Sequence, residues 1–341
     1  MNIIRIGIDI AKHVFYLHGV DAQGNTALRK KLQRHDLLAF FARLAPCLIA
    51  MEACSGSHYW GRELRKQGHD VRLISPQFVV AYRNNQKNDY NDAQAICEAA
   101  SRANMRFVAI KSEEQQAALM VHRIREQCIA ERTSKANQIR GHLHEFGVVV
   151  PQGVTKIIAL LPPLLENDSN LPALLKSLLR DLLDDIHHIN QRVDALDKQI
   201  HAFVKNNDTA TRLMTIAGIG PITASALVAT TGDPHLFKNS RQFTAWLGLV
   251  PKQFSSGGKT KLGRITKAGD GYLRKLLIQG ARAVLFRSGT HTDQRSLWIN
   301  QLRARKPDNV VATALAAKLA RTAWAIMTRD ETYQVNHTGL T

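Results

Sequence analysis

The 341-residue chain is long enough for two or three domains with buried cores, and its 45% hydrophobic and 22% charged content excludes a disordered chain. Its 46 Lys and Arg against 28 Asp and Glu give a net charge of +18 and a pI near 10.0, which makes a polyanion, usually nucleic acid, the expected partner. A membrane role is disfavoured. Arg5 and Asp9 interrupt the first apolar run, Lys318 and Arg321 interrupt Val310 to Met327, and no basic amphipathic anchor is present. Cys47, Cys54, Cys97 and Cys128 have no metal-ligand spacing and read as buried thiols, so a soluble cytoplasmic protein is expected.

In chain order, Ile3 to Lys12 alternates β-branched residues and predicts a buried strand with Asp9 near its end. His13 to Val20 and Thr26 to Leu32 follow as strands around the turn residues 21–25. A helix is expected over Asp36 to Leu44, then a strand over Cys47 to Glu52, a helix over Ser57 to Gln67 and a strand over Val71 to Ile74. Another helix runs from Asp89 to about Ala103, and Arg106 to Ile110 makes a last strand. Three strands joined by hairpins, then alternating helices and strands, predict a mixed sheet covered by helices, as in the ribonuclease H-like fold. Asp9, Glu52 and the pair Asp89 and Asp92 come from three separate elements and can converge on one cleft, with the last two three residues apart on one helical face. Oxygen-only anionic ligands of this kind suit Mg²⁺, with Mn²⁺ as the variant, and two such ions can assist phosphoryl transfer. Taken singly, Asp89 and Asp92 also read as helix-dipole partners and Glu52 as a strand-end acid.

Ser112 to Gln115 spells a capping box that opens a helix to about Phe146. Pro162-Pro163 and residues 167–170 read as a linker, and Leu171 to Phe203 as a second long helix with near-heptad leucines from Leu178 onward. The pair predicts an antiparallel coiled-coil arm, serving either dimer contact or packing within one subunit. Ile216 to Pro221 resembles a helix-hairpin-helix turn able to hold a phosphate, although short glycine turns also serve packing alone. Between Lys252 and Lys306 stand 13 Lys and Arg and two acids, more than half of the chain's net charge. Lys252, Lys259, Lys261, Arg264, Lys267, Arg274 and Lys275 are the expected nucleic-acid contacts, and binding through them should weaken with salt. Ser256 sits in a glycine-flanked loop in this stripe, and on residues alone it reads as a turn or phosphate nest.

Three motifs carry a resemblance: Gly7 to Lys12, Met51 to Ala53, and Lys87 to Ala93. They are similar to the DEDD motifs of the IS-one-ten (IS110) family of bacterial insertion-sequence transposases, which groups with the Piv DNA invertase. Gly248 to Pro251, Ser256-Gly257 and Arg264 to Asp270 likewise resemble that family's C-terminal transposase motif. The resemblance implies an α/β RuvC-like DEDD domain over 1–111, a coiled-coil arm over 112–207 and a mostly α domain over 208–341. It also implies Mg²⁺ on Asp9, Glu52, Asp89 and Asp92, and a nucleophilic serine at Ser256, with Ser255 as the alternative. Implied partners are donor and target DNA, a structured bridge RNA, and further copies in a dimer or tetramer whose subunits could share a composite site. The rival functions are a junction-resolving nuclease that uses the same acids with water, and a non-catalytic nucleic-acid scaffold.

Overall fold

A computed structural model describes residues 2–83, 86, 88–167 and 171–333, and the expected motif residue Lys87 and linker residues 168–170 lie outside these. The chain forms two compact units, Met1–Gln115 with Thr231–Leu236, and Gln116–Thr230 with Phe237–Thr341. The helical segment and the C-terminal third, separated in the sequence reading at 207/208, fall within this second unit.

In the first unit β1 (Arg5–Ile10), β2 (Val14–Val20) and β3 (Thr26–Gln33) form an antiparallel meander. A 3-10 turn leads into a short α1 (Leu37–Phe41), where a longer helix was expected. Then come β4 (Leu48–Glu52), α2 (Ser57–Lys66), β5 (Asp70–Ile74), a short α3 (Pro76–Val79) that the sequence reading missed, α4 (Asp89–Ala100) and β6 (Phe107–Val108). The sheet order is β3-β2-β1-β4-β5-β6, with β1, β4 and β5 parallel and β6 antiparallel to β5. Period-two alternation sorts the side chains. Ile6 and Ile8 of β1 join Ile49 and Met51 of β4 in a core shared with Leu37, Phe41, Trp60 and Leu64 of the α1/α2 layer. Each such fully buried side chain contributes about 1.5–3 kcal/mol. Ala50 and Ile74 face the other way, against Ala95, Ile96 and Ala99 of α4. Ile4, within the expected buried strand Ile3 to Lys12, precedes β1 and is exposed, and β6 is two residues long rather than five.

The predicted capping box is formed: the Gln115 amide donates to Ser112 Oγ (3.1 Å), and the Ser112 amide donates to Gln115 Oε1 (3.0 Å). It opens α5 (Glu113–Glu145), followed by α6 (Val154–Asn167) and α7 (Ala173–Lys205). The helix α6 corrects the expected proline linker. Pro162 and Pro163 cannot donate ladder hydrogen bonds, but Ile157, Leu161 and Leu165 bury one face against α5 and α7 and hold the segment helical. The helices α5 and α7 run antiparallel. Arg125 pairs with Asp197, Arg132 donates to Asn190 (2.7 Å), and Lys135 pairs with Asp185 (2.5 Å), so one helix advances as the other recedes. Leu179, Leu183, Ile186, Ile189, Val193, Leu196 and Ile200 are buried, whereas Leu178 is exposed.

The rest of the second unit comprises α8 (Asp208–Leu213), α9 (Pro221–Thr231), α10 (Ser240–Trp246), the hairpin β7 (Pro251–Ser256) and β8 (Lys259–Ile265), α11 (Gly271–Arg287), α12 (Gln294–Arg303) and α13 (Asp308–Arg329). Among the described residues α13 is long and apolar enough to cross a membrane, but its Val311, Leu315, Leu319 and Ala323 lie in the core of this unit. At the expected phosphate-binding turn, Gly218 (φ +100°) packs closely on α11. A Cβ on Gly280 of α11 would stand 1.9 Å from the Gly218 carbonyl oxygen, so two glycines permit backbone contact there.

A buried polar triad ties α5, α9 and α11 together. Ser225 Oγ donates to the Pro221 carbonyl (2.8 Å) and so accepts from His122 Nε2 (2.9 Å), leaving His122 Nδ1 to accept from the Tyr272 hydroxyl (3.0 Å). His122 is 2% exposed. Burial, reinforced by Arg125 and opposed by Asp197, lowers its pKa from 6.5 to about 4, and burial pushes Tyr272 up to about 12. Between those two His122 values the unfolded chain binds more protons, so stability present above pH 6.5 is lost as pH falls toward 4. The loss should be about 3 kcal/mol in urea unfolding between pH 7 and pH 4, and His122→Gln should show a shallower slope. Equal slopes in the two proteins would remove His122 as the cause.

Candidate active site

The acids meet where α4 lies on β1. In the parallel register Ile8 pairs with Met51, both facing the α1/α2 core, so the next residues, Asp9 and Glu52, turn to the α4 face at the carboxyl ends of their strands. The α4 backbone can reach β1 because residue 7 is glycine. A Cβ there would stand 2.2 Å from the Ala93 carbonyl oxygen and 2.5 Å from the Cys97 amide nitrogen. Asn88 caps α4 by accepting from the Asn91 amide (2.9 Å), which sets Asp89 and Asp92 in its first turn. Ligand oxygens of Asp9, Asp89 and Asp92 lie within 4.8 Å of one another. Asp92 is 7% exposed and accepts from Arg83 Nε (2.5 Å), a partner the sequence did not suggest. Glu52 stands beside this trio rather than in it. Both Glu52 and Asp9 act on Cys54, whose thiol is held above its ordinary pKa by desolvation first and by those two carboxylates next. Cys54 is itself exposed, unlike the other three cysteines. Hard oxygen donors, one of them buried, fit a divalent cation such as Mg²⁺ or Mn²⁺.

The expected loop around Ser256 is a two-stranded hairpin. Gly257 and Gly258 have φ of +55° and +76°, the left-handed pair that a type I′ turn needs, and Ser256 pairs with Lys259 across it. Alternation separates the two serines. Ser256 shares its face with Lys259, with the cross-strand pair Phe254 and Lys261, and with Lys252, whose Cβ lies on the same side of Gly263 as the Phe254 ring. Ser255 points to the opposite face, where its hydroxyl meets Gln253 (2.7 Å) and Thr260 (3.4 Å). Nearly every residue of the ribbon is exposed.

Its base is built tightly. The Thr266 amide donates to Val250 (2.9 Å) and the Lys267 amide to Gly248 (3.1 Å). A Cβ on Gly248 would stand 2.3 Å from the Ala268 oxygen, and one on Gly269 2.0 Å from the Trp246 oxygen. Arg274, expected on nucleic acid, donates through Nη1 to the carbonyls of Leu247 (3.0 Å) and Ala268 (2.9 Å) and so joins the two shoulders of the hairpin. Lys275 pairs with Glu126 and lies 5.2 Å from the centre of the Tyr272 ring. Arg264 is on the exposed strand β8, and Lys267 follows it in a left-handed conformation (φ +56°).

A family model described as transposase of the IS116/IS110/IS902 family matches residues 210–296, and a DEDD transposase model of the IS110 type matches residues 6–148. The chain is 49% identical over 336 residues to a probable family 20 transposase of Pseudomonas aeruginosa, covering 98% of this chain and 99% of that protein. It is 41% identical over 334 residues to the transposase for insertion sequence element IS1328 of Yersinia enterocolitica, covering 97% and 99%. The transposase for IS1111A of Coxiella burnetii is 40% identical over 330 residues, covering 96% and 91%. The chain belongs to the IS110 family of transposases. Membership brings DNA as substrate and the cutting and rejoining of DNA as activity. The DEDD match contains all four acids, and the other match contains Ser256 and the basic residues from Lys252 to Lys275.

The close approach at Gly7 gives a direct test. Gly7→Ala should lower the unfolding free energy of this transposase by about 1–3 kcal/mol, because α4 must lift from β1. Gly141→Ala, with nothing within 4 Å of the new methyl on helix α5, should be neutral or stabilising by up to about 1 kcal/mol. Equal midpoints for Gly7→Ala and wild type in chemical denaturation would contradict the packing argument.

Proposed function

We propose that this transposase is a DEDD-type recombinase in which Ser256 is the nucleophile, Asp9, Glu52, Asp89 and Asp92 hold Mg²⁺, and a structured RNA guides the choice of DNA. The observation that carries the reading is the placement of Ser256 at the hairpin tip on the face that also bears Lys252, Lys259 and Lys261. A phosphodiester approaching that face meets cations and a primary hydroxyl together. Ser256 Oγ forms a bond to phosphorus, the bond to one deoxyribose oxygen breaks, and that oxygen leaves as a hydroxyl on taking up a proton. The serine proton passes to solvent or to a neighbouring base. The phosphoserine keeps the energy of the broken ester, so attack by a deoxyribose hydroxyl on the phosphoserine rejoins DNA without ATP. Lys259, directly across the strand, would neutralise charge on the non-bridging oxygens.

A divalent ion held by the acids would supply charge stabilisation for the reacting oxygens. Asp9, Asp89 and Asp92 are the residues best placed to hold it, with Glu52 at the adjoining strand end. The meander followed by parallel strands supports a ribonuclease H-like, RuvC-like fold for the first unit. The near-heptad burial along α7 against an antiparallel α5 supports a coiled-coil reading of that pair. RNA guidance rests on family likeness, with the basic stripe supporting a polyanion.

Asp89→Ala and Ser256→Ala should each reduce strand cleavage of labelled donor DNA in Mg²⁺ by at least about 10²-fold while DNA affinity stays within about twofold. Retained cleavage in Asp89→Ala would remove the acids from the mechanism. Retained cleavage in Ser256→Ala would make the enzyme a hydrolytic nuclease and return Ser256 to a turn role.

A further inference from the structure

We infer that Phe254 is a base-stacking residue, which seats an unstacked nucleobase of the DNA strand beside the phosphate that faces Ser256. The inference deepens the proposed serine site and rests on it. Phe254 is 62% exposed, on a ribbon that buries almost nothing. One edge of its ring lies near the Gly263 backbone, where an added Cβ would be 3.5 Å from Cε2. That contact orients the ring and leaves most of its surface open.

The surroundings select the occupant. Phe254 pairs directly with Lys261, and its face continues through Lys252 on one side and Ser256 with Lys259 on the other. Three ammonium groups around one exposed aromatic ring repel a basic partner, including a second copy of this +18 chain through the same face. They suit a strand that alternates phosphates with flat apolar bases. Residues two apart on one face are about 6.8 Å apart, so a phosphate at Ser256 places a neighbouring base within reach of Phe254. Ser255, Thr260 and Gln253 on the opposite face offer neither ring nor ammonium group. Leu262 on that face is equally exposed but presents no π-surface for a base.

The test separates stacking from charge and is made by binding alone. Full-length protein carrying Ser256→Ala, with and without Phe254→Ala, Phe254→Tyr or Lys261→Ala, is titrated onto a fluorescent single-stranded DNA 20-mer across a salt series. Phe254→Ala should weaken binding about 5- to 150-fold with an unchanged salt slope, and Phe254→Tyr should restore it. Lys261→Ala should instead lower the slope of log K against log salt by about 0.7. Unchanged affinity in Phe254→Ala would overturn the inference, as would a loss that Tyr fails to rescue. Sedimentation showing that Phe254→Ala dissociates an oligomer while leaving DNA binding intact would assign the ring to contact between copies. No cleavage is read, so failure of the serine mechanism and failure of the stacking contact remain distinguishable.

Discussion

The absence of a side chain at Gly7 is the constraint on which the acidic site depends. Side chains normally fill the gap between a helix and a sheet, but the Ala93 carbonyl and Cys97 amide of α4 come within 2.5 Å of where a β-carbon would be. The short layer brings the first turn of α4 down to the strand ends. Period-two alternation then does the rest: a register that buries Ile8 and Met51 on one face must present Asp9 and Glu52 on the other. Three carboxylates held within 4.8 Å repel one another unless a cation is shared among them or nearby cations offset the charge, and Arg83, paired with Asp92, is one such cation.

The hairpin of the second unit is organised on the opposite principle. Its tip has no core and its conformation is imposed from below, where Gly248 and Gly269 allow backbone-to-backbone contact and Arg274 joins the carbonyls of both shoulders. Asp270 accepts from the Tyr272 and Leu273 amides and starts α11 immediately after this base. Tyr272 in turn enters the buried triad with His122 and Ser225, so the packing of α5, α9 and α11 fixes the platform from which the serine projects. An exposed, highly charged ribbon is a poor contributor to stability. Its exposed lysines suit a surface that meets DNA.

Much of this was legible in the sequence wherever burial leaves a pattern. The alternation in β1, the capping box at Ser112, the buried spacing along α7 and the clustering of acids at element ends all follow from period and capping chemistry. The hairpin was not legible because neither of its faces is buried, so no alternation announces it; the Gly257-Gly258 pair was the available signal. Pro162-Pro163 suggested a break that apolar packing of Ile157, Leu161 and Leu165 overrides. Charge alone could not distinguish Arg274, whose guanidinium serves backbone carbonyls, from arginines that face outward. Gly7 carried no local mark at all, since its role depends on a helix more than 80 residues later.

The central claim is that the hydroxyl on the lysine-bearing face becomes covalently joined to DNA. It is tested most directly by trapping the protein on donor DNA with Mg²⁺, digesting the DNA and protein, and mapping the nucleotide-bearing peptide by mass spectrometry. The account predicts a deoxynucleotide phosphate on Ser256 and none on Ser255. Modification of Ser255, or cleaved DNA with both serines unmodified, would contradict it.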